Sequence, residues 1–351
     1  ETINYCLSQN CSVVLMSHLG RPIDNNDQYS LNPVLEYLEE YFNTYIHFSD
    51  DCISNESIEI SNNLLPREIH LLENLRYYKQ EINNDVSFAK KLSKHADVYI
   101  CDSFGTSHRK HASNSAILSF FKYKSIGFLM SKELKYLKNN LSYKNLTIVI
   151  GGAKISSKLK MIKYFINNCR NIIIGGAMVF TILKSLNKKV GRSLVENDML
   201  EESKEIFNKI KSSSTKLLLP DDIVCENDKS KKITLKNIND ISDDEVGLDI
   251  GPETLIKYTH YIKNSDCIIW NGPMGKFEDL SFAVGTHTLS EVIANCGEHI
   301  TTIIGGGDTV SAIEMTQSLD SFTHVSTGGG ASLKLLSGEK LDFQNSWEEY
   351  E

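Results

Sequence analysis

Two apolar runs that each end in three consecutive glycines constrain this chain more than any other feature. Ile303 and Ile304 lead into Gly305, Gly306 and Gly307, after which Asp308 and Thr309 open a helical pattern; Val325, Ser326 and Thr327 lead into Gly328, Gly329 and Gly330. Each run reads as a buried strand that ends in a tight turn. Without Cβ atoms such turns let backbone N–H groups approach a ligand at the positive end of a helix, an arrangement suited to phosphate. Glycines of this kind also serve as plain strand-to-helix turns. The carboxylate inside the first turn, Asp308, favours the phosphate reading, because Mg2+ is commonly held by one or two carboxylates together with the phosphates themselves.

At 351 residues the chain has length for about two domains. No run of about 18 apolar residues and no signal peptide is present, which excludes a membrane partner from the expectation. A formal net charge of -8 argues against nucleic acid as a partner, since sequence-independent binding needs many cationic contacts to phosphates. The eight cysteines are scattered without a C-x-x-C pair and read as buried, reduced thiols of a cytoplasmic protein. The chain opens at Glu1 inside what reads as a helix, which raises the expectation of an upstream segment.

The first half alternates short apolar strands with helices. A strand at Cys11–Met16 ends in Ser17-His18-Leu19-Gly20-Arg21-Pro22, one at Tyr45–Phe48 follows, one at Ile69–Leu75 runs into Arg76, and one at Asp97–Cys101 precedes a segment containing His108, Arg109 and His111. Asn32-Pro33 reads as the cap and first residue of a helix with Val34, Leu35, Leu38 and Phe42 on one face. Three strand ends thus deliver Arg21, Arg76 and Arg109, and fixed-charge guanidinium groups suit an acid bearing both carboxylate and phosphate.

Lys132–Leu141 is a charged helical connector, after which the βαβ rhythm restarts with strands at Thr147–Ile150, Asn171–Ile174, Lys216–Leu219, Asp266–Trp270 and Ile300–Ile304. The expected fold class is α/β with two lobes, each a parallel sheet with helices on both faces, Rossmann-like, joined by a hinge helix. Lys154 and Lys158, four apart after Gly151-Gly152, are expected on one face of a helix start, pointing at one anion. Two better-known loops are absent: Gly275-Lys276 is followed by Phe277, so no P-loop is formed, and no G-x-G-x-x-G occurs. No Ser/His/Asp or zinc-ligand spacing stands out, and Asp249 with Glu253 reads as turn and capping residues.

The motifs SHLGRP, LLENLRYY, DSFGTSHRKHAS, GGAKISSK, IIIGGAMVFTILK, LPDDIV, GLDIGPET, IIWNGPMGKFE, IIGGGDT and HVSTGGGASL, in this order, resemble the phosphoglycerate kinase family across almost the whole chain. The resemblance implies a phosphoglycerate-binding lobe over residues 1–130, an interdomain helix over 131–141, a nucleotide-binding lobe over 142–332 and a tail over 333–351 that returns to the first lobe. It implies reversible phosphoryl transfer between 1,3-bisphosphoglycerate and ADP, giving 3-phosphoglycerate and ATP, by a monomer whose lobes close around Mg2+ and ATP or ADP. Under it, His18, Arg21, Arg76 and Arg109 hold the phosphoglycerate. Lys158, Asn271, Glu278, Gly306, Asp308 and Thr309 serve the nucleotide, with Asp308 on the metal, while Gly152, Ala153, Gly176, Leu248 and Pro273 line the adenosine pocket. Lys154 with backbone amides around Gly307, Gly329 and Gly330 steadies the phosphoryl group in flight. Glu133 is paired with His324 near the hinge.

The departures from the family carry weight as well. The opening strand with its Arg-Val-Asp-x-Asn-Val-Pro type segment has no counterpart, and losing one preorganised charge donor typically costs on the order of 3 kcal/mol in a transition state. Ala177 stands where the family has a third glycine, Lys276 where it has an apolar residue near the adenine, and the Leu-Pro-Gly tail is missing. An inactive or scaffold paralogue on the same fold, and another two-lobed kinase or ligase for a small phosphorylated acid, are the alternatives left open.

Overall fold

The structure, a computed structural model, describes residues 1–23, 27–138, 143–297 and 299–349. The chain divides into two compact units, Glu1–Glu133 with Lys340–Glu351, and Leu134–Glu339. The boundary falls inside the helix Phe128–Lys138; the expected end of that connector, at residues 139–141, lies outside the described residues. The start of the helix is tied down by Asp102, whose carboxylate accepts the Met130 N–H at 3.0 Å and the Thr2 hydroxyl at 2.6 Å.

In the first unit β1 (Val13–Leu15), β2 (Ile46–Ser49) and β3 (Ile69–Leu72) form a parallel sheet in the order β1-β3-β2, and β4 (Val98–Cys101) pairs in parallel with β5 (Tyr123–Ile126). Ile46, Ile69 and Leu71 are buried against Leu35, Leu38 and Phe42 of the helix Asn32–Phe42. Val34, expected on that face, is exposed. Asn32 is the first helical residue and not the cap. Ser30 Oγ accepts the Asn32 N–H at 3.1 Å and the buried Glu73 carboxylate, just after β3, accepts the Leu31 N–H at 2.8 Å, so the N–H groups at the helix start are met from outside the helix. The cysteines also differ from expectation, because Cys11 is exposed and Cys6, Cys169 and Cys296 are only partly buried.

A chain of buried polar groups crosses this unit. His95 Nε2 faces the Cys52 carbonyl at 2.9 Å and therefore carries the proton, which leaves His95 Nδ1 to accept from the Ser61 hydroxyl at 2.7 Å. Ser61 Oγ then accepts from His70 Nδ1 at 2.7 Å, and the Ser49 hydroxyl donates to His70 Nε2 at 2.8 Å. Every ring nitrogen is satisfied with both imidazoles neutral.

The second unit contains β6 (Leu146–Ile150), β7 (Asn171–Ile174), β8 (Lys216–Leu218), β9 (Asp222–Asn227), β10 (Ile233–Asn237), β11 (Glu245–Ile250), β12 (Cys267–Asn271), β13 (Thr301–Gly305) and β14 (His324–Val325). Six of them form a parallel sheet flanked by helices, in the order β14-β13-β12-β6-β7-β8. Numbered by appearance within that sheet this is the doubly wound order 3-2-1-4-5-6, in which the winding direction reverses between β6 and β12. All five residues of β6 and of β12 are buried, the continuous apolar pattern of a strand covered on both faces. Trp270 and Tyr258 are fully buried in the core, and each polar tip is used: Trp270 Nε1 donates to the Gly272 carbonyl at 2.8 Å and the Tyr258 hydroxyl to the Ile174 carbonyl at 2.7 Å. The antiparallel sheet β10-β9-β11 was not anticipated from the sequence.

Burial holds the His70 pKa down to about 4, with His95 and His47 adding to it, and burial lowers that of His95 as well. In the unfolded chain a histidine titrates near 6.5, so the unfolded state takes up protons first, and the first unit should lose stability as the pH falls from about 6.5 to about 4. Ser61→Ala leaves both Nδ1 atoms unpartnered and should cost about 1–3 kcal/mol in urea unfolding at pH 7. An unchanged midpoint would show that the serine is not the hub of the network.

Candidate active site

The loop after β1 is clamped by the turn after β3. The Leu75 N–H donates to the Ser17 carbonyl at 3.1 Å, and Asn74 Nδ2 donates to the carbonyls of Leu19 and Tyr29 at 2.8 Å each. Arg76 Nη1 donates to the Gly20 carbonyl. Gly20 has φ +59 and a Cβ there would lie 2.4 Å from the Tyr29 ring, so the turn needs glycine. The 103–109 segment reaches the same place: Asn114 Nδ2 holds the Thr106 carbonyl at 3.1 Å, and Arg109 Nε donates to His108 Nε2 at 3.3 Å. The helix Asp342–Glu349 braces it, with the Phe343 N–H on the Ser107 carbonyl at 3.0 Å.

Electrostatics show how closely these groups meet. Burial lowers the Arg76 pKa, and the guanidiniums of Arg109 and Arg21 lower it further, against Glu81. His18 is pushed down to about 4 by burial, then by Arg76, Arg109 and His111. His111 is lowered by burial and by the same two arginines. The structure thus brings together His18, Arg21, Arg76 and Arg109. Among the described residues none of the three arginines forms an ion pair with a carboxylate. With the histidines neutral near pH 7, the positive charge is that of the guanidiniums, held in a geometry that favours an incoming anion.

In the second unit the turns after β6, β7 and β12 interlock through their backbones. Gly151 N–H donates to the Asn271 carbonyl at 3.0 Å, Gly152 N–H to the Pro273 carbonyl at 2.8 Å, and Gly176 N–H to the Met274 carbonyl at 2.8 Å. A Cβ on Gly272 would lie 2.2 Å from the Gly151 carbonyl oxygen, and one on Gly176 2.5 Å from the Gly152 nitrogen. Above these turns lies a cleft of about 290 Å³ bordered by Gly152, Ala153, Gly176, Leu248, Pro273, Glu278 and Asp308, with Phe180, Val246 and Gly247 completing the apolar wall. It sits at the carboxyl ends of β6 and β12, the crevice where doubly wound sheets bind ligands.

Lys158 Nζ donates to Asn271 Oδ1 at the cleft's edge. Burial lowers the Lys158 pKa while Asp308 raises it, which places the Asp308 carboxylate within electrostatic reach. Asn271 is fully buried, and its Nδ2 has no hydrogen-bond partner among the described residues. Built Cβ atoms on Gly305 and Gly306 would come within 3.2 and 3.1 Å of that nitrogen, so a side chain at either position would crowd it. Beyond Gly307, at the start of the helix Gly307–Glu314, an added Cβ meets nothing within 4 Å, and the same holds for Gly152 and Gly329. The helix N-terminus is therefore open.

Two expectations need correcting. Lys154 and Lys158 do not share a helix face: the helix starts only at Leu159. Glu196 accepts from the Ser156 N–H at 3.1 Å and hydroxyl at 2.5 Å, while Ile155 is buried. These contacts hold the segment as a turn that leaves Lys154 exposed. In the second glycine run the strand is only His324–Val325; Thr327 is exposed and Gly330 lies in the first turn of the helix Gly329–Leu336. Asp249 is buried in β11 beside the cleft, where its carboxylate accepts the N–H of Gly285 at 2.7 Å and of Ile250 at 2.9 Å. Burial pushes its pKa up to about 7 against those two bonds.

Sequence reasoning missed the hydroxyl of Thr309. It donates to the Gly305 carbonyl at 2.9 Å and accepts the Gly272 N–H at 2.7 Å, bolting the turn after β13 to the turn after β12. The wall residues Phe180, Val246 and Gly247 were missed too, although the alternation in 245–250 was there to be read.

Sheet order and cleft define a doubly wound α/β unit whose cleft lies at the switch point, in a chain whose other unit carries a guanidinium cluster. Known proteins make the assignment specific: the phosphoglycerate kinase family model matches residues 1–339, and the chain belongs to that family. Over 347 residues it is 41% identical to the phosphoglycerate kinase of Prochlorococcus marinus (strain MIT 9515), covering 97% of this chain and 86% of the relative. The cytosolic phosphoglycerate kinase of Triticum aestivum is likewise 41% identical, with the same coverages of 97% and 86%. The solved phosphoglycerate kinase of Coxiella burnetii superposes with a TM-score of 0.89 at 30% identity, covering 99% of this chain and 89% of that one.

Thr309→Val removes both hydrogen bonds of a buried hydroxyl and should destabilise the second unit by about 1–3 kcal/mol, whereas Thr309→Ser should retain most of the stability. Urea unfolding of the two variants checks this; equal midpoints would remove the bolt from the account.

Proposed function

We propose that this chain catalyses reversible transfer of a phosphoryl group between 1,3-bisphosphoglycerate and ADP, giving 3-phosphoglycerate and ATP, a step of glycolysis and gluconeogenesis. The observation that carries the reading is the coincidence of the family match with a cleft at the β6/β12 switch point bordered by Asp308, which opens the helix Gly307–Glu314 and lies within electrostatic reach of Lys158, itself bonded to Asn271. The acceptor is a carboxyl group of the acid, the enzyme works as a monomer, and its location is cytoplasmic. These finer points rest on the family; among the described residues no helix is long and apolar enough to cross a membrane.

His18, Arg21, Arg76 and Arg109 take the acid. The three guanidiniums supply charge and fork geometry, and His18, neutral at physiological pH because of its surroundings, offers a hydrogen bond without adding to the repulsion. The base and ribose occupy the cleft bordered by Gly152, Ala153, Gly176, Leu248 and Pro273, with Glu278 at the ribose hydroxyls. Lys158, the free Asn271 Nδ2 and the amides of Gly306, Asp308 and Thr309 receive the phosphates.

Asp308 is an exposed carboxylate at this edge, and no group of three or more His, Cys, Asp or Glu side chains suited to a metal occurs among the described residues. That donor set fits Mg2+ carried chiefly by the nucleotide phosphates, not a protein cage. Bound there, the ion would neutralise charge on the phosphate oxygens. Lys154, free of a helix, and the amides of Gly307 and Gly330 hold the negative charge of the transferred group. Transfer of this kind needs positioning and charge stabilisation more than a covalent nucleophile, and closure of the two units excludes water while the reactants meet. Lys276 at the cleft leaves selectivity among nucleotide bases to be measured.

The test is ATP-dependent formation of 1,3-bisphosphoglycerate from 3-phosphoglycerate. Arg76→Ala should raise KM for the acid at least tenfold with KM for ATP nearly unchanged, and Asp308→Ala should do the reverse. Equal effects of Arg76→Ala on both substrates would remove Arg76 from the acid site, and no activity with either substrate pair would favour the scaffold reading.

A further inference from the structure

The helix Thr2–Ser8 ends in a turn whose geometry sets Cys6 and Cys11 at positions that commonly touch. Asn10 takes a left-handed φ of 60, its N–H donates to the Leu7 carbonyl at 3.1 Å, and the Cys11 N–H donates to the Cys6 carbonyl at 3.1 Å. These are the paired 5→2 and 6→1 bonds of a Schellman motif, in which the side chains three residues before and two after the cap commonly touch. Here those two positions are Cys6 and Cys11. Apolar residues usually fill them; a thiol at each makes a vicinal dithiol. The turn does not drift, because Arg67 Nε donates to Asn10 Oδ1 at 2.9 Å and the Arg67 N–H to the Cys11 carbonyl at 3.0 Å.

We propose that Cys6 and Cys11 form a dithiol that closes reversibly into an intrachain disulfide under peroxide and chelates thiophilic trivalent arsenicals when reduced. Cys11 is the exposed member and meets the oxidant; Cys6 is partly buried, while Cys52, Cys101, Cys225 and Cys267 are enclosed. Burial pushes the Cys6 thiol up, and the charge of the neighbouring Cys11 adds to that push. In the closing reaction the Cys11 thiolate attacks one peroxide oxygen. The O–O bond breaks, hydroxide leaves as water after taking a proton, and a sulfenic acid remains. The Cys6 sulfur then attacks the Cys11 sulfur, forming the S–S bond and expelling a second water, so two thiols and one hydrogen peroxide give one disulfide and two waters. The pair lies outside the residues assigned to substrate and nucleotide.

Treatment of the full chain with hydrogen peroxide, followed by alkylation and peptide mass mapping, should locate a loss of two hydrogens on the peptide containing Cys6 and Cys11, restored by dithiothreitol. In Cys6→Ser, Cys11 should stop at a sulfenic acid that dimedone traps. The unaltered reduced chain should bind one equivalent of phenylarsine oxide, and either Cys6→Ser or Cys11→Ser should abolish that binding. Asn10→Gly, which keeps the left-handed turn, should close as fast as the unaltered chain, and Asn10→Val several-fold more slowly. Cys11 oxidising past the sulfenic acid while Cys6 stays open to alkylation, or arsenical binding that survives Cys6→Ser, would overturn the proposal.

Discussion

The second unit depends on the direct contact of three glycine turns. Gly151, Gly176 and Gly272 pack backbone against backbone at the carboxyl ends of β6, β7 and β12, at separations that no Cβ tolerates. The hydrogen bonds across them run from one turn to the next, so no turn can be displaced alone. Trp270 secures the arrangement from beneath by donating to the Gly272 carbonyl, and Thr309 from the side by accepting the Gly272 N–H. The result is a floor over which the helix N-terminus at Gly307 is open and the buried Asn271 Nδ2 has no hydrogen-bond partner among the described residues. Groups left open at a fixed place support the proposed nucleotide site.

The first unit solves the opposite problem, which is to hold like charges together. Arg21, Arg76 and Arg109 carry like charges, and burial first, then the guanidiniums of Arg109 and Arg21, lower the Arg76 pKa. Backbone clamps oppose that repulsion: Asn74 fixes the loop carrying His18 and Arg21, and Glu73 at 6% exposure fixes both Asn74 and the Leu31 turn. Behind Glu73 lies the Cys52–His95–Ser61–His70–Ser49 chain, through the Cys52 thiol's bond to the Glu73 carbonyl at 2.8 Å. Stability stored in a neutral hydrogen-bonded network thus supports a site whose own electrostatics are unfavourable until an anion arrives.

Much of this was legible in residue order because parallel strands buried on both faces show as unbroken apolar runs. Residues 148–150, 172–174 and 267–270 are such runs, and the glycines soon after them border the cleft. The antiparallel sheet was hidden because Ile233–Asn237 alternates exposed and half-buried residues amid Asp, Asn and Lys, which reads as loop. The spacing of Lys154 and Lys158 misled because Glu196, some forty residues later, overrides the local helical preference. Asn32 was mistaken for a cap because the carboxylate that takes over, Glu73, is remote in sequence. For the lysines and for Asn32 the missing information was a contact between distant segments, which no local pattern encodes.

The central claim is that the glycine floor between β6 and β12 is a nucleotide shelf. A crystal structure of the chain grown with Mg2+ and ADP tests it most directly. The account predicts the diphosphate over the Gly306–Thr309 amides, with Lys158 and Asn271 Nδ2 in contact with it, Asp308 facing the ion, and the base against Leu248 and Pro273. Nucleotide bound elsewhere while this floor holds only solvent would contradict it.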